Sequence, residues 1–110
     1  MVKYKVRLTN HAIKQFENIV EYTLDVLQSP DSASKLADAL EQSIQSLDEM
    51  PHRIPFTEEE PWHSRKLHRM LVKNHFIYYW IDECNLRVQV TCICSTRMDQ
   101  TKQLKLMDKA

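Results

Sequence analysis

The chain begins with a simple alternation. Val2, Tyr4, Val6 and Leu8 are apolar, and Lys3, Lys5 and Arg7 lie between them. This period of two predicts a half-buried strand. The period then lengthens. Ala12, Phe16, Ile19, Val20, Thr23 and Leu27 recur at three- and four-residue spacing, the stripe of an amphipathic helix, with the Thr9 hydroxyl placed to cap it. Ser29-Pro30-Asp31 ends that helix and starts another, because serine suits the N-cap and proline the first helical position. Ala33, Leu36, Ala37, Leu40, Ile44 and Leu47 form the buried stripe of the second helix, which stops before Pro51. So short a connection makes an αα-hairpin.

Residues 51–64 hold Pro51, Pro55 and Pro61 and the run Glu58-Glu59-Glu60, a loop pinned by Ile54, Phe56 and Trp62. Strands are expected from there on. Arg65 to Val72 is the first, and Asn74 supplies the turn after it. His75 to Asp82 carries Phe76, Tyr78 and Trp80 on one face and Ile77, Tyr79 and Ile81 on the other, which marks a central strand. After Glu83-Cys84-Asn85 comes Leu86 to Ser95, with Leu86, Val88, Val90, Cys92 and Cys94 read as one inward face. The polar tail from Met98 to Ala110 has Leu104 and Met107 as anchors for a short helix. The expected fold is one α+β domain over residues 1–110. It comprises an N-terminal strand, an αα-hairpin, a three-stranded antiparallel meander and a short C-terminal helix. The two long helices pack on one face of the sheet. The other face is expected to be open and to hold the functional surface.

Composition narrows the chemistry. Hydrophobic residues are 43% of the chain and charged residues 27%, the profile of a soluble globular protein. Glycine is absent, which removes phosphate loops and dinucleotide fingerprints whose turns need its freedom. Fifteen basic residues balance fifteen acidic ones, whereas a nucleic-acid binder carries a basic excess. The cysteines, Cys84, Cys92 and Cys94, are odd in number and lack CxxC spacing. They are read as free thiols in a reducing compartment, with neither a metal nor a cofactor expected. The N-terminus has no signal-peptide core and no apolar run is long enough to span a bilayer, so a cytoplasmic protein is expected.

Basic groups do cluster locally. His63, Arg65, Lys66, His68, Arg69, Lys73 and His75 lie in a stretch with no acidic residue between Pro61 and Ile81. Metal-free RNA cleavage needs such groups to deprotonate a 2′-hydroxyl, neutralise the phosphate and protonate the leaving oxygen. Read as strand residues, Lys66 and His68 would share a face. The plainer reading is an edge strand guarded by charge, and both remain open.

Several stretches, in order, resemble a known family. They are Met50-Pro51 at the hairpin's end, Glu59-Glu60-Pro61-Trp62, Val72-Lys73-Asn74, Tyr78-Tyr79-Trp80-Ile81-Asp82-Glu83 and Thr96-Arg97-Met98-Asp99. Together they are similar to the RelE/ParE toxins of bacterial type II toxin–antitoxin systems, over nearly the whole chain. The resemblance implies a toxin neutralised by a cognate antitoxin. Its action would be RelE-like, cutting messenger RNA in the ribosome without a metal. The alternatives are ParE-like poisoning of DNA gyrase without nuclease activity, or a degenerate, non-catalytic binding module. A higher-order toxin–antitoxin assembly is also implied. By the same resemblance Lys66 and His68 match basic positions of the RelE-like enzymes and Arg97 their phosphate-stabilising arginine. The chain departs from that pattern at His75, where those enzymes carry arginine, and at Ser95, where relatives carry His or Tyr. The tail also lacks tyrosine. The catalytic expectation is therefore Lys66, His68, His75 and Arg97. On the hairpin, Ala33, Leu36 and Leu40 are spaced to hold an acidic or amphipathic antitoxin segment as well as the sheet.

Overall fold

A computed structural model describes residues 2–107; residues 108–110 of the expected tail lie outside them. The order of elements is β1 (Lys5–Leu8), α1 (Asn10–Leu27), α2 (Pro30–Gln45), two short 3-10 turns (Ser46–Asp48 and Pro51–Arg53), β2 (His68–Val72), β3 (His75–Asp82), β4 (Arg87–Ser95) and α3 (Gln100–Lys105). Helix starts follow the sequence. Thr9 Oγ1 accepts from the Ala12 amide at 3.1 Å, and Ser29 Oγ accepts from the Ser32 amide at 3.2 Å. Each cap satisfies an orphan N–H and contributes about 1 kcal/mol. With no glycine to end α1, Gln28 adopts the left-handed conformation at φ 49°.

The four strands form one sheet in the order β1-β4-β3-β2. The last three strands are an antiparallel meander. The chain's first strand returns beside its last, with β1 running parallel to β4. The helical hairpin is the connection that makes this possible, and it covers one face. There Ala12, Leu40, Ile44 and Leu47 pack on Met70, Ile77, Tyr79, Val88, Val90 and Ile93.

Three expectations are corrected. The strand expected from Arg65 begins only at His68. Residues before it form a tight turn, with Lys66 at φ 68° and the Leu67 amide donating to the Trp62 carbonyl at 3.0 Å. The single inward face expected for β4 is split. Tyr78 pairs with Cys92 while Tyr79 pairs with Val90, so Thr91 is an extra residue, a β-bulge that resets the alternation. Val88 and Val90 therefore join the helix-side core, Cys92 and Cys94 join the opposite side, and Leu86 is exposed outside the strand at φ 51°. Finally, the face expected to be open is partly covered. Trp62 from the turn and Leu104 from α3 pack there on Leu67, Tyr78, Cys92 and Cys94. Among the described residues no helix is long and apolar enough to cross a membrane.

Candidate functional site

The four residues expected to act together are dispersed. His68 is on the helix side of β2, only 6% exposed. Its ring stacks on Tyr79 with 5.0 Å between centroids. Phe56 lies across its other flank at 4.6 Å, and His52 approaches edge-on at 6.4 Å. A carbonyl can only accept, so His68 Nδ1–H donates to the Ile54 oxygen at 2.7 Å. Burial, reinforced by the charge of nearby His52, lowers its pKa below the ordinary histidine value, against the raising effect of the Ile54 hydrogen bond. A neutral imidazole in an aromatic box is a packing group.

Lys66 does not share a strand face with His68, as the alternation had suggested. It is exposed in the preceding turn, its amide donating to the His63 carbonyl at 3.0 Å. His75 sits at the start of β3, opposite Val72 on one side and Ser95 on the other, with its Nδ1–H on the Lys73 carbonyl at 2.9 Å. Arg97 is exposed in the turn after β4, and its amide donates to Ser95 Oγ at 3.2 Å. His75 and Arg97 thus share one end of the sheet. Lys66 lies beyond the other end of β2, whose four-residue rise from His68 to Val72 alone is about 13 Å.

A different polar cluster forms on the sheet face opposite the helical hairpin. Glu59 accepts from Thr57 Oγ1 at 2.6 Å and pairs with Arg69 at 3.3 Å. The Arg69 guanidinium lies 4.4 Å above the Phe76 ring. The Tyr78 hydroxyl donates to Gln100 Oε1 at 2.7 Å, which also receives the Cys94 thiol at 3.1 Å. Gln100 Nε2 returns to the Ser95 and Met98 carbonyls. Burial first, then the Glu59 charge, pushes the Tyr78 phenol well above its ordinary pKa. This network ties the acidic loop, the sheet and α3 together. Its Arg69 was visible in the sequence as part of the basic run, and strict alternation from His68 places it on the opposite face. Gln100, in the polar tail, carried no signal. Among the described residues no group of three or more His, Cys, Asp or Glu side chains is placed to hold a metal.

The hairpin also departs from expectation. Ala33 and Leu40 are consumed by the core at 4% and 0% exposure. The apolar surface left over belongs to α1, where Ile13, Tyr22, Leu24, Val26 and Leu27 are exposed. At its N-terminal end a cavity of about 300 Å³ lies between Ile13, Phe16 and Glu17 of α1 and Glu41 and Ile44 of α2.

Comparisons with known proteins agree with this architecture. A family described as the ParE toxin of the type II toxin–antitoxin system parDE matches residues 6–100. Among solved structures, a chain of the chromosomal ParDE system from P. aeruginosa superimposes with a TM-score of 0.69 and 13% identity, covering 86% of this chain and 98% of that one. A double-arginine mutant of the E. coli toxin RelE in the free state gives a TM-score of 0.61 and 13% identity, covering 94% and 96%. No curated protein matches the sequence. At such low identity the two structures speak for the fold, as the ordered motifs had implied. The family match spans most of the chain, from the first strand to the start of α3, and the chain accordingly belongs to the ParE toxins of type II toxin–antitoxin systems.

Proposed function

We propose that this toxin arrests growth by binding a protein target, DNA gyrase in the cytoplasm, and does not cut messenger RNA on the ribosome. The dispersal of the candidate nuclease residues carries this reading. Proton transfer needs acid and base within hydrogen-bond reach of one scissile phosphate. Lys66 and Arg97 belong to opposite ends of the sheet, and His68 is enclosed by Tyr79 and Phe56. The match to the ParE description supports the same side. Purified toxin is expected to inhibit gyrase supercoiling and to leave messenger intact in a translating extract. Messenger cleavage that Arg97→Ala abolishes would overturn the proposal in favour of the RelE-like mechanism.

The cognate antitoxin, on this reading, covers the outer stripe of α1. Ile13, Leu24 and Leu27 keep helical spacing with half-buried Phe16 and Val20 between them. Exposed apolar surface of this kind in a small domain marks an interaction face. Co-expression with the adjacent short gene should yield one co-eluting complex, and no co-elution would count against the pairing.

A further inference from the structure

A separate corner of the face opposite the helical hairpin, where β1, β4 and β3 lie side by side, holds a cavity of about 260 Å³ lined by Arg7, Trp80, Asp82, Arg87 and Gln89. The strand register explains how they meet. Arg7 is opposite Gln89, and Gln89 is opposite Trp80, so these three form one row across the sheet. Lys5, Arg87 and Asp82 form the next row on the same face. Two strand spacings separate Arg7 from Trp80, about 10 Å between their backbones, and Arg7 and Arg87 are diagonal neighbours about 8 Å apart.

The two arginines lack the carboxylate that would ordinarily hold them. Asp82 is the only acid lining the cavity, and both its oxygens are occupied by Asn85. Oδ1 accepts from the Asn85 amide at 3.2 Å and Oδ2 from its side chain at 2.8 Å. Arg87 contributes only at longer range to holding Asp82 ionised. Among the described residues neither Arg7 nor Arg87 makes an ion pair. Two guanidiniums on adjacent strands repel until an anion comes between them, and their planar forks match a phosphate's oxygens. Half-buried Trp80 adds an aromatic surface at the far end of the same row. Gln89, between them, offers both a donor and an acceptor.

We propose that this corner binds one free nucleotide, its phosphate held between Arg7 and Arg87 and its base lying against Trp80. A strand of nucleic acid fits less well. Strand binding rests on a succession of cation–phosphate contacts, whereas this neutral chain concentrates Lys5, Arg7 and Arg87 in one corner. The cavity is smaller than usual drug-sized sites of about 300–1,000 Å³, and suits a single unit. The inference does not depend on the gyrase reading, since it uses none of the same residues.

Titration of the full chain, followed by backbone and indole N–H signals in two-dimensional NMR, tests it. The probes are adenosine and guanosine monophosphate, adenosine, inorganic phosphate and a short oligothymidylate. The mononucleotides should shift Arg7, Trp80, Arg87 and Gln89. Adenosine and phosphate alone should each bind at least about tenfold more weakly. Arg7→Ala and Arg87→Ala should each weaken nucleotide binding at least about tenfold, the loss of a charge-assisted hydrogen bond, with the rest of the spectrum unchanged. Arg87→Lys, which keeps the charge without the fork, should fall between. Phosphate binding as tightly as the nucleotides would overturn the base contact. Tighter binding of the oligonucleotide would replace the proposal with a strand site. Absence of shifts at this corner with every probe would end it.

Discussion

The His68 imidazole lies flat on the Tyr79 ring, with 8° between their planes. Tyr79 is itself anchored, its hydroxyl donating to the Pro51 carbonyl at 2.7 Å. Together with Ile54 and Phe56, the pair fastens the proline-rich loop to the helix side of the sheet.

That arrangement sets a pH dependence of stability. Folding favours neutral His68, so the unfolded chain takes up more protons at mildly acid pH. The contribution is fully present above the ordinary histidine pKa of 6.5 and is lost as pH falls from there toward the depressed folded value. Thermal unfolding from pH 7.5 down to about 5 should show a falling midpoint, and His68→Phe should flatten the slope. His68→Ala should cost about 2–5 kcal/mol, as for emptying a buried site. A slope unchanged in His68→Phe would assign the dependence to another group.

Arg97 should behave in the opposite way. It is exposed, and only its backbone amide is engaged, so Arg97→Ala should alter stability by no more than about 0.5 kcal/mol. On the gyrase reading the variant still arrests growth. A nuclease that relied on this arginine would lose about a hundred- to thousandfold in rate, so growth-arrest assays with matched expression separate the two.

The exposed stripe of α1 predicts where antitoxin affinity resides. Leu24→Glu places a charge on that stripe and should weaken the complex by about 2 kcal/mol or more, with the free toxin's unfolding midpoint nearly unchanged. Leu40→Ala, inside the core, should instead destabilise the toxin by about 2–5 kcal/mol. Calorimetry of binding and of unfolding on both variants distinguishes interface from core. Equal antitoxin affinity for wild type and Leu24→Glu would move the interface elsewhere.

The thiols report on α3. Cys84 is exposed, whereas Cys92 and Cys94 are buried, and all three are free. Alkylation of native protein should label Cys84 quickly and the other two slowly, and denaturant should release all three. Gln100→Ala removes the acceptor shared by Tyr78 and Cys94 and should speed labelling of Cys94 several-fold by loosening α3 (roughly 1 kcal/mol per lost hydrogen bond). Unchanged labelling would show that Leu104, not Gln100, holds the helix.

Much of the scaffold was legible because local signals were strong. Thr9 and Ser29 cap the helices they were expected to cap, and the two-faced apolar pattern of β3 did mark an interior strand. The failures have physical causes. A left-handed residue such as Lys66 gives no warning in a chain without glycine, so the turn before β2 was read as strand. Periodicity says which residues share a face only while pairing stays regular, which misplaced half of β4. The partly buried cluster of Glu59, Arg69, Tyr78 and Gln100 joins segments up to 41 residues apart, and no spacing rule reaches that far. Lys66 and His68 do not share a strand face, because the left-handed turn that holds Lys66 ends before β2 begins at His68.

The bulge at Thr91 makes β4 a strand with two insides. Its first half belongs to the helical hairpin and its second half to α3 and the Trp62 turn. Were Thr91 taken into the ladder as a regularly paired residue, Cys92 and Cys94 would turn toward the helical hairpin and Ile93 toward Trp62, inverting half the strand with its composition untouched. The two layers of the molecule are therefore kept in step by one residue left out of the ladder, whose place decides which half of β4 faces which layer.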